Sequence, residues 1–345
     1  MKVLIVNNMA PFIWGGAEEL AANLEKQLVL AGHEAEVLRI PFQWNPAAKI
    51  PSQMLMARSL KLWNVDHVIA LKFPAYLIRH PRKTMWLVHQ YRQAYDLRGT
   101  ELSNIPVSAE GDALVSLIRE ADREAFGECR AVYSIAPPVA GRLKKFNGLE
   151  STVLLPPLND PELFGGGPPD GYILAAGRIN SGKRQHLLVE AMRFAAESVR
   201  LIVAGPPDSA EDGDRLKKLV ELYGLSGRVT LDLGFLSRPE YAGYINRADA
   251  VAYVPFDEDS LGYVTMEAAG AGKPVITATD SGGVLGLVKH GETGWVCEPD
   301  AKALGRVLSE AAGAGSKTRE FGANARSLWK SMDVTWPRTL EALLR

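Results

Sequence analysis

Between Phe256 and Gly283 the chain reads FDEDSLGYVTMEAAGAGKPVITATDSGG, and this stretch gathers the groups best suited to chemistry. Asp257, Glu258 and Asp259 follow the apolar run Val251 to Phe256. Glu267 then comes on an apolar segment, ahead of Lys273-Pro274, Val275-Ile276 and Gly282-Gly283. The order reads as strand, loop, helix, strand and glycine turn. A helix that starts just past a strand points free N–H groups and the positive end of its dipole at whatever lies beyond. Phosphate suits such a place. Ionised carboxylates only accept hydrogen bonds, so Asp259 ahead of the helix and Glu267 in its second turn suit the hydroxyls of a sugar. Phosphate and sugar recognised together point to a nucleotide sugar.

The same stretch resembles the signature of the retaining family 4 glycosyltransferases: Glu, seven residues, Glu, a short helix ending in Gly-x-Pro-Val-Ile, and a later Gly-Gly. Glu267, Gly272 to Ile276 and Gly282-Gly283 match it. Asp259 stands at the first glutamate, keeping the carboxylate with one methylene fewer, and Glu258 lies one residue out of register. Gly286 replaces a further glutamate that often follows the glycine pair. The resemblance covers most of the chain and is weakest between Trp44 and Lys83. It implies an α/β GT-B fold: two facing Rossmann-like domains, with a terminal helix crossing back to the first.

The resemblance also implies roles. Gly177-Arg178, four residues and Lys183 match the family's Gly-Arg…Lys pattern after the first strand of the second domain. As plain composition this is a solvated basic loop; as the family motif it places two cations where a diphosphate leaves, each charge-assisted bond contributing roughly 1.5–3 kcal/mol. Arg184 stands where glycine is commoner, which leaves its side chain a surface reading. His89 closes the strand-like MWLVHQ, where the family has a histidine that reaches the donor sugar; an imidazole there can donate to a sugar oxygen or shuttle a proton near neutral pH. Gly15-Gly16 ends the first strand-to-helix loop, where the lack of side chains lets backbone approach a ligand. Gly234-Phe235-Leu236 corresponds to the loop that the family sets against the nucleotide base, although core packing accounts for Phe235 equally well. Backbone N–H groups of Gly262, Tyr263 and Val264 would take phosphate, Glu267 the ribose hydroxyls and Asp259 the sugar ring.

The elements that must position these residues alternate in type. Strand candidates run at Lys2 to Asn7, Glu36 to Ile40, His67 to Leu71, Met85 to His89 and Ala131 to Ala136, with helical segments such as Ala17 to Ala31 and Ala109 to Phe126 between them. A second series follows the proline- and glycine-rich PPLNDPELFGGGPP of Pro156 to Pro169. Its strands are Tyr172 to Ala176, Leu201 to Gly205, Val229 to Leu233, Ala250 to Pro255 and Val275 to Ala278; its helices include Gln185 to Ala196, Asp214 to Tyr223 and Pro239 to Arg247. Such alternation predicts parallel sheets covered by helices, with ligands at the carboxyl ends of strands. The expected domains are 1–160, 168–326, and a helix over 327–345 packing on the first.

Bulk properties remove several classes. With 39 basic against 40 acidic residues among 345, no chain-wide field attracts nucleic acid. Cys129 and Cys297 lie far apart, reading as reduced, buried thiols. MKVLIVNNMAPF reads as a first strand rather than an export signal, and no apolar run reaches the ~20 residues of a membrane span. A cytoplasmic protein is expected. No Gly-x-Gly-x-x-Gly follows Asn7, which argues against a dinucleotide enzyme, and Pro274 together with Glu267 spoils a P-loop reading of Gly270 to Lys273. Asp257-Glu258-Asp259 resembles a metal-holding Asp-x-Asp, but the helix terminus and two cations already supply positive charge, so no essential metal or other cofactor is expected. Lys49 to Lys83 mixes basic residues with Met54, Met56, Trp63 and Phe73; ordinary amphipathic packing explains it, with peripheral membrane contact as the alternative. The expected function is metal-independent hexose transfer from a nucleotide-diphosphate sugar, UDP- ahead of GDP-linked, to the hydroxyl of an unidentified acceptor. An epimerase or hydrolase of the same fold, and a two-lobed sugar binder, are the rivals.

Overall fold

Runs such as Val3-Leu4-Ile5-Val6 and Val68-Ile69-Ala70-Leu71 are apolar at successive positions, the pattern of strands covered on both faces. In the computed structural model, which describes residues 1–345, these runs are strands of wholly parallel sheets in two units. The first unit comprises Met1–Pro157 and Thr335–Arg345, the second Leu158–Val334.

In the first unit, β1 (Lys2–Met9), α1 (Gly16–Leu30), β2 (Glu34–Pro41), α2 (Ile50–Ser59), β3 (His67–Lys72), β4 (Lys83–His89), α3 (Ala109–Gly127), β5 (Ala131–Ser134), α4 (Pro137–Asn147) and β6 (Thr152–Val153) follow one another. The sheet order is β2-β1-β3-β4-β5-β6, with Val3 to Val6 in register with His67 to Ala70. Its core includes Val6, Leu24, Ile69 and Trp86, all buried.

The second unit runs β7 (Ile173–Ala176), α5 (Gln185–Ala191), β8 (Leu201–Ala204), α6 (Ala210–Leu222), β9 (Val229–Asp232), α7 (Arg238–Arg247), β10 (Ala250–Ala252), α8 (Tyr263–Gly270), β11 (Val275–Ala278), β12 (Gly294–Cys297), α9 (Ala301–Gly313) and α10 (Gly315–Ser331). Its order, β12-β11-β10-β7-β8-β9, reverses between β7 and β10. In doubly wound sheets a ligand binds outside the carboxyl ends of the strands at such a reversal. Helix starts are earlier than periodicity alone suggested where a serine caps them. Ser209 accepts from the Asp212 N–H, so α6 begins at Ala210, and Ser237 forms a capping box with Glu240 at the start of α7.

The chain's last helix, α11 (Trp336–Leu344), is shorter than the expected 327–345. Residues 327–331 finish α10 in the second unit, where Arg326 donates to the carbonyls of Gly165 and Gly270, and Asp333 at φ 50° turns the chain. Trp336, Leu340 and Leu343 are then buried in the first unit's core, Trp336 edge-on to Trp86 at 6.4 Å between centroids. Burial of three such side chains contributes about 1.5–3 kcal/mol each. The basic and apolar residues of 49–83 split by packing. Ile50, Met54 and Phe73 are buried, Leu55, Met56 and Trp63 are exposed, and Lys83, counted among the basic residues of that segment, is wholly enclosed with its ammonium on the carbonyls of Tyr76 and Ile78. No helix is long and apolar enough to cross a membrane. Both cysteines are free, and burial pushes each thiol up to about 11.

Candidate functional site

The reversal between β7 and β10 is where the expected residues of the second unit converge. The loop after β7 carries Arg178 and Lys183, and the loop after β10 carries Glu258 and leads into α8. Lys183 Nζ donates to the Tyr253 hydroxyl at 2.9 Å, and that hydroxyl donates to Glu258 Oε2 at 2.8 Å; Lys183 and Glu258 also pair directly. Burial, then Glu258 and Glu267, hold the Tyr253 phenol well above its ordinary range, so it stays a proton donor. The lysine is thus oriented by a carboxylate and a phenol at one end of a strand pair. The carboxylate beside it is Glu258, the residue one step out of the sequence register, rather than Asp259.

Helix α8 begins at Gly262, which has φ 75° and no side-chain cap. A Cβ there would lie 2.7 Å from the Tyr253 ring, so both the backbone angle and the ring require glycine. Tyr263 and Val264 supply the first N–H groups of the helix, which have no partner within it. The Gly262 N–H, expected to join them, instead donates to Ser260 Oγ at 3.1 Å. Gly282, at φ 63°, and Gly283 press on the loop ahead of α8: an added Cβ would come within 2.6 Å of backbone atoms of Glu258 or Ser260. That contact is the physical content of the glycine pair in the motif.

Glu267 is buried in the second turn of α8. Its Oε1 accepts from Arg238 Nη1 at 2.6 Å and its Oε2 from the Tyr241 hydroxyl at 2.8 Å. Arg238 also donates to the Asn159 carbonyl at 3.2 Å and lies over the Phe164 ring at 4.8 Å. Neither α7 residue carried a sequence signal, since an Arg and a Tyr near a helix start are ordinary surface choices. Arg178 is anchored through Nη2 to Asp208 Oδ2 at 2.9 Å, which Asn180 also contacts at 2.9 Å. Phe235 is 86% exposed, which removes core packing as its explanation; Leu236 beside it is partly exposed. Asp259 is partly buried in the loop before α8. Arg184 is no surface group: its guanidinium is largely buried and bonded to Val254, Pro255 and Asp280. Asp257, Glu258 and Asp259 do not gather with other side chains into a cluster able to hold a metal.

The remaining expected residues are in the first unit. Gly15 caps α1, its N–H donating to Glu18 Oε2 at 3.0 Å, and Gly16 opens that helix. His89 ends β4, in register with Lys72 of β3. Burial, with Lys72, Arg142 and Arg92 nearby, lowers its imidazole to about 3. A ring this hard to protonate is neutral near pH 7. Its Nδ1 lies 2.6 Å from the Gln90 carbonyl, so Nδ1 carries the hydrogen and Nε2 is left as an acceptor. Gln90 is tied in turn through Asn147 and Tyr95 to buried Asp122. Arg92 and Arg142 both approach Asp96, at 2.6 and 3.8 Å. Away from these groups, a groove of about 500 Å³ lined by Gly166, Asp249, Lys273 and Arg326 opens at the amino ends of β10 and β11.

Known proteins resemble the chain in sequence and in fold. Residues 166–328 match the family model for glycosyl transferases group 1. The D-inositol 3-phosphate glycosyltransferase of Nocardia farcinica is 30% identical over 264 residues, covering 71% of this chain and 54% of the relative. That of Mycolicibacterium paratuberculosis is 34% identical over 188 residues, 51% of this chain and 40% of the relative. The chain spans about half the length of the curated relatives it matches. Among solved structures, Anabaena HepE in complex with UDP and glucose aligns with a TM-score of 0.72 at 18% identity, over 99% of this chain and 98% of that one. Sucrose-phosphate synthase from Thermosynechococcus elongatus aligns at 0.76 and 18%, over 99% and 97%. At such identities the likeness establishes the fold, the α/β GT-B architecture. The matched segment spans most of the second unit, which is a group 1 glycosyl transferase domain.

Proposed function

We propose that the chain transfers a hexose from a nucleotide-diphosphate sugar, UDP-linked ahead of GDP-linked, to an acceptor hydroxyl with retention of anomeric configuration and without a metal. The observation that carries this reading is the meeting of Lys183, Glu258 and the uncapped start of α8 at the β7/β10 reversal. The C1–O bond to the diphosphate breaks, the acceptor oxygen bonds to C1 on the same face, and the acceptor proton passes to a departing phosphate oxygen. Arg178, Lys183 and the N–H groups of Tyr263 and Val264 meet the negative charge that grows on the leaving group. Glu267 takes the ribose hydroxyls, while Asp259 with Glu258 faces the sugar. Phe235, exposed in the loop after β9, is available to the base. The HepE structures bound to UDP and UDP-glucose support this class of donor.

For the acceptor, the relatives' name points to a phosphorylated polyol. Lys72, Arg92 and Arg142 around His89 suit such an anion, and the His89 Nε2 suits a hydroxyl donor. The test is incubation with UDP- and GDP-sugars, with and without inositol phosphates. Nucleotide release coupled to a product with the donor's anomeric configuration supports the reading, and it persists in EDTA. Binding without release, or an altered sugar still linked to nucleotide, refutes it.

A further inference from the structure

Arg184 occupies a backbone position meant for glycine. It sits at φ 56°, ψ 31° as the residue before α5, a left-handed conformation that costs a non-glycine residue on the order of 1 kcal/mol or more. Its side chain supplies a reason to keep it there. Nε donates to the Val254 carbonyl at 2.7 Å and Nη2 to the Pro255 carbonyl at 2.9 Å, both in the segment just past β10. Nη1 and Nη2 take the two oxygens of Asp280, just past β11, at 2.8 and 2.6 Å. The guanidinium also lies over the Phe256 ring at 5.8 Å. One side chain therefore ties together the segments that follow three adjacent strands, β7, β10 and β11.

Those segments carry the groups proposed to act. Lys183 is the preceding residue; Glu258 is three beyond Pro255, and its carbonyl accepts from the Gly283 N–H at 2.8 Å, in the turn that Asp280 starts. Backbone bonds from Phe256 to Gly182 and from Asp257 to the Asp280 carbonyl, both 2.9 Å, close the same ring of contacts. A bidentate guanidinium–carboxylate pair fixes angle as well as distance, which a lysine cannot do.

We propose that Arg184 and Asp280 form a clamp that sets Lys183 against the Glu258 loop, making both of them positioning residues for departure of the diphosphate. This rests on the donor site read above. The clamp touches no substrate, so its loss loosens the geometry of the chemical step more than the binding of nucleotide; misplacement by about 1 Å can cost on the order of 100-fold in rate.

The test compares R184G, R184K, D280N and the R184G/D280N double variant with the wild-type chain. R184G relieves the backbone while removing the clamp, so the fold survives. Expected are a fall in kcat of roughly 10- to 100-fold with donor KM within about threefold, a double variant no worse than either single one, and partial recovery in R184K. Wild-type kcat in R184G, or additive losses, overturns the clamp. Hydrogen exchange supplies a readout that needs no turnover: amides of 254–260 and 280–283 exchange faster in R184G and D280N than in wild type, and unchanged exchange there overturns the proposal. If the wild-type chain cleaves no sugar nucleotide while these amides still loosen, the clamp stands and the donor reading fails.

Discussion

The pair of Arg238 and Glu267 offers the sharpest test of how the candidate site is held. Replacing Arg238 with Met removes a guanidinium 2.6 Å from a buried carboxylate while keeping most of the side chain's apolar bulk over Phe164. Taking one partner from a fully enclosed ion pair costs about 3–5 kcal/mol, because the other charge stays buried. Arg238 is itself 31% exposed, so water can take up part of its role and the expected loss drops to about 2–3 kcal/mol. The Tyr241 hydroxyl remains 2.8 Å from the other oxygen and limits the damage further. Removing the charge as well, in R238M/E267Q, lets the pocket close without a stranded carboxylate, so the double variant recovers at least about 1 kcal/mol relative to the sum of the single ones. Urea unfolding of the four proteins measures this coupling, and calorimetric titration with UDP and GDP reads the same residues through ligand. R238M and E267Q should each weaken nucleotide binding, since one loses the carboxylate's orientation and the other its charge. A loss below about 0.5 kcal/mol in R238M, or strictly additive losses, refutes the account of Glu267 as a carboxylate held ready by its arginine.

Three further outcomes follow from the same geometry. Gly262→Ala forces a Cβ to 2.7 Å from Tyr253 at φ 75°, so it should destabilise the second unit by about 2–4 kcal/mol and reduce turnover; wild-type urea midpoints would contradict it. Arg178→Ala should lower transfer at least tenfold with an unchanged circular dichroism spectrum, and unaltered turnover would remove it from the diphosphate site. Buried Asp122, in the first unit, is raised by burial to about 7 against about 3.9 in the unfolded chain, despite donation from Tyr76 and Tyr95. Between those values only the folded state keeps the proton, so stability falls as pH rises through that window, by at most about 1.4 kcal/mol per pH unit. Denaturation series from pH 4 to 8 should lose this slope in Asp122→Asn, and the same slope in both proteins would count against it.

Much of the fold was legible because its signals are local. Consecutive apolar runs separated by helical periodicity are enough to predict parallel sheets, and the glycines and prolines of 156–169 marked where the chain leaves one unit for the next. The motif glycines of the second unit have the same local character: Gly262 and Gly282-Gly283 are demanded by backbone angles and close approaches within a short stretch. Phe235 shows the limit, since a lone aromatic after a strand reads alike whether it is packed or, as here, exposed.

Tertiary structure alone decided which partners meet. Glu258 rather than Asp259 stands at Lys183 because the loop after β10 is pinned by Arg184, Asp280 and the glycine turn, and a one-residue shift in a loop leaves no periodic trace in the sequence. Arg238 and Tyr241 reach Glu267 from a different helix, and burial, followed by Lys72, Arg142 and Arg92 approaching from separate elements, lowers His89, a histidine that in isolation would titrate near neutral pH. Sequence spacing specifies which residues share a strand or a helix face, because that depends on a fixed repeat. Which charge lies beside which depends on how the elements pack, and there distance along the chain carries no information.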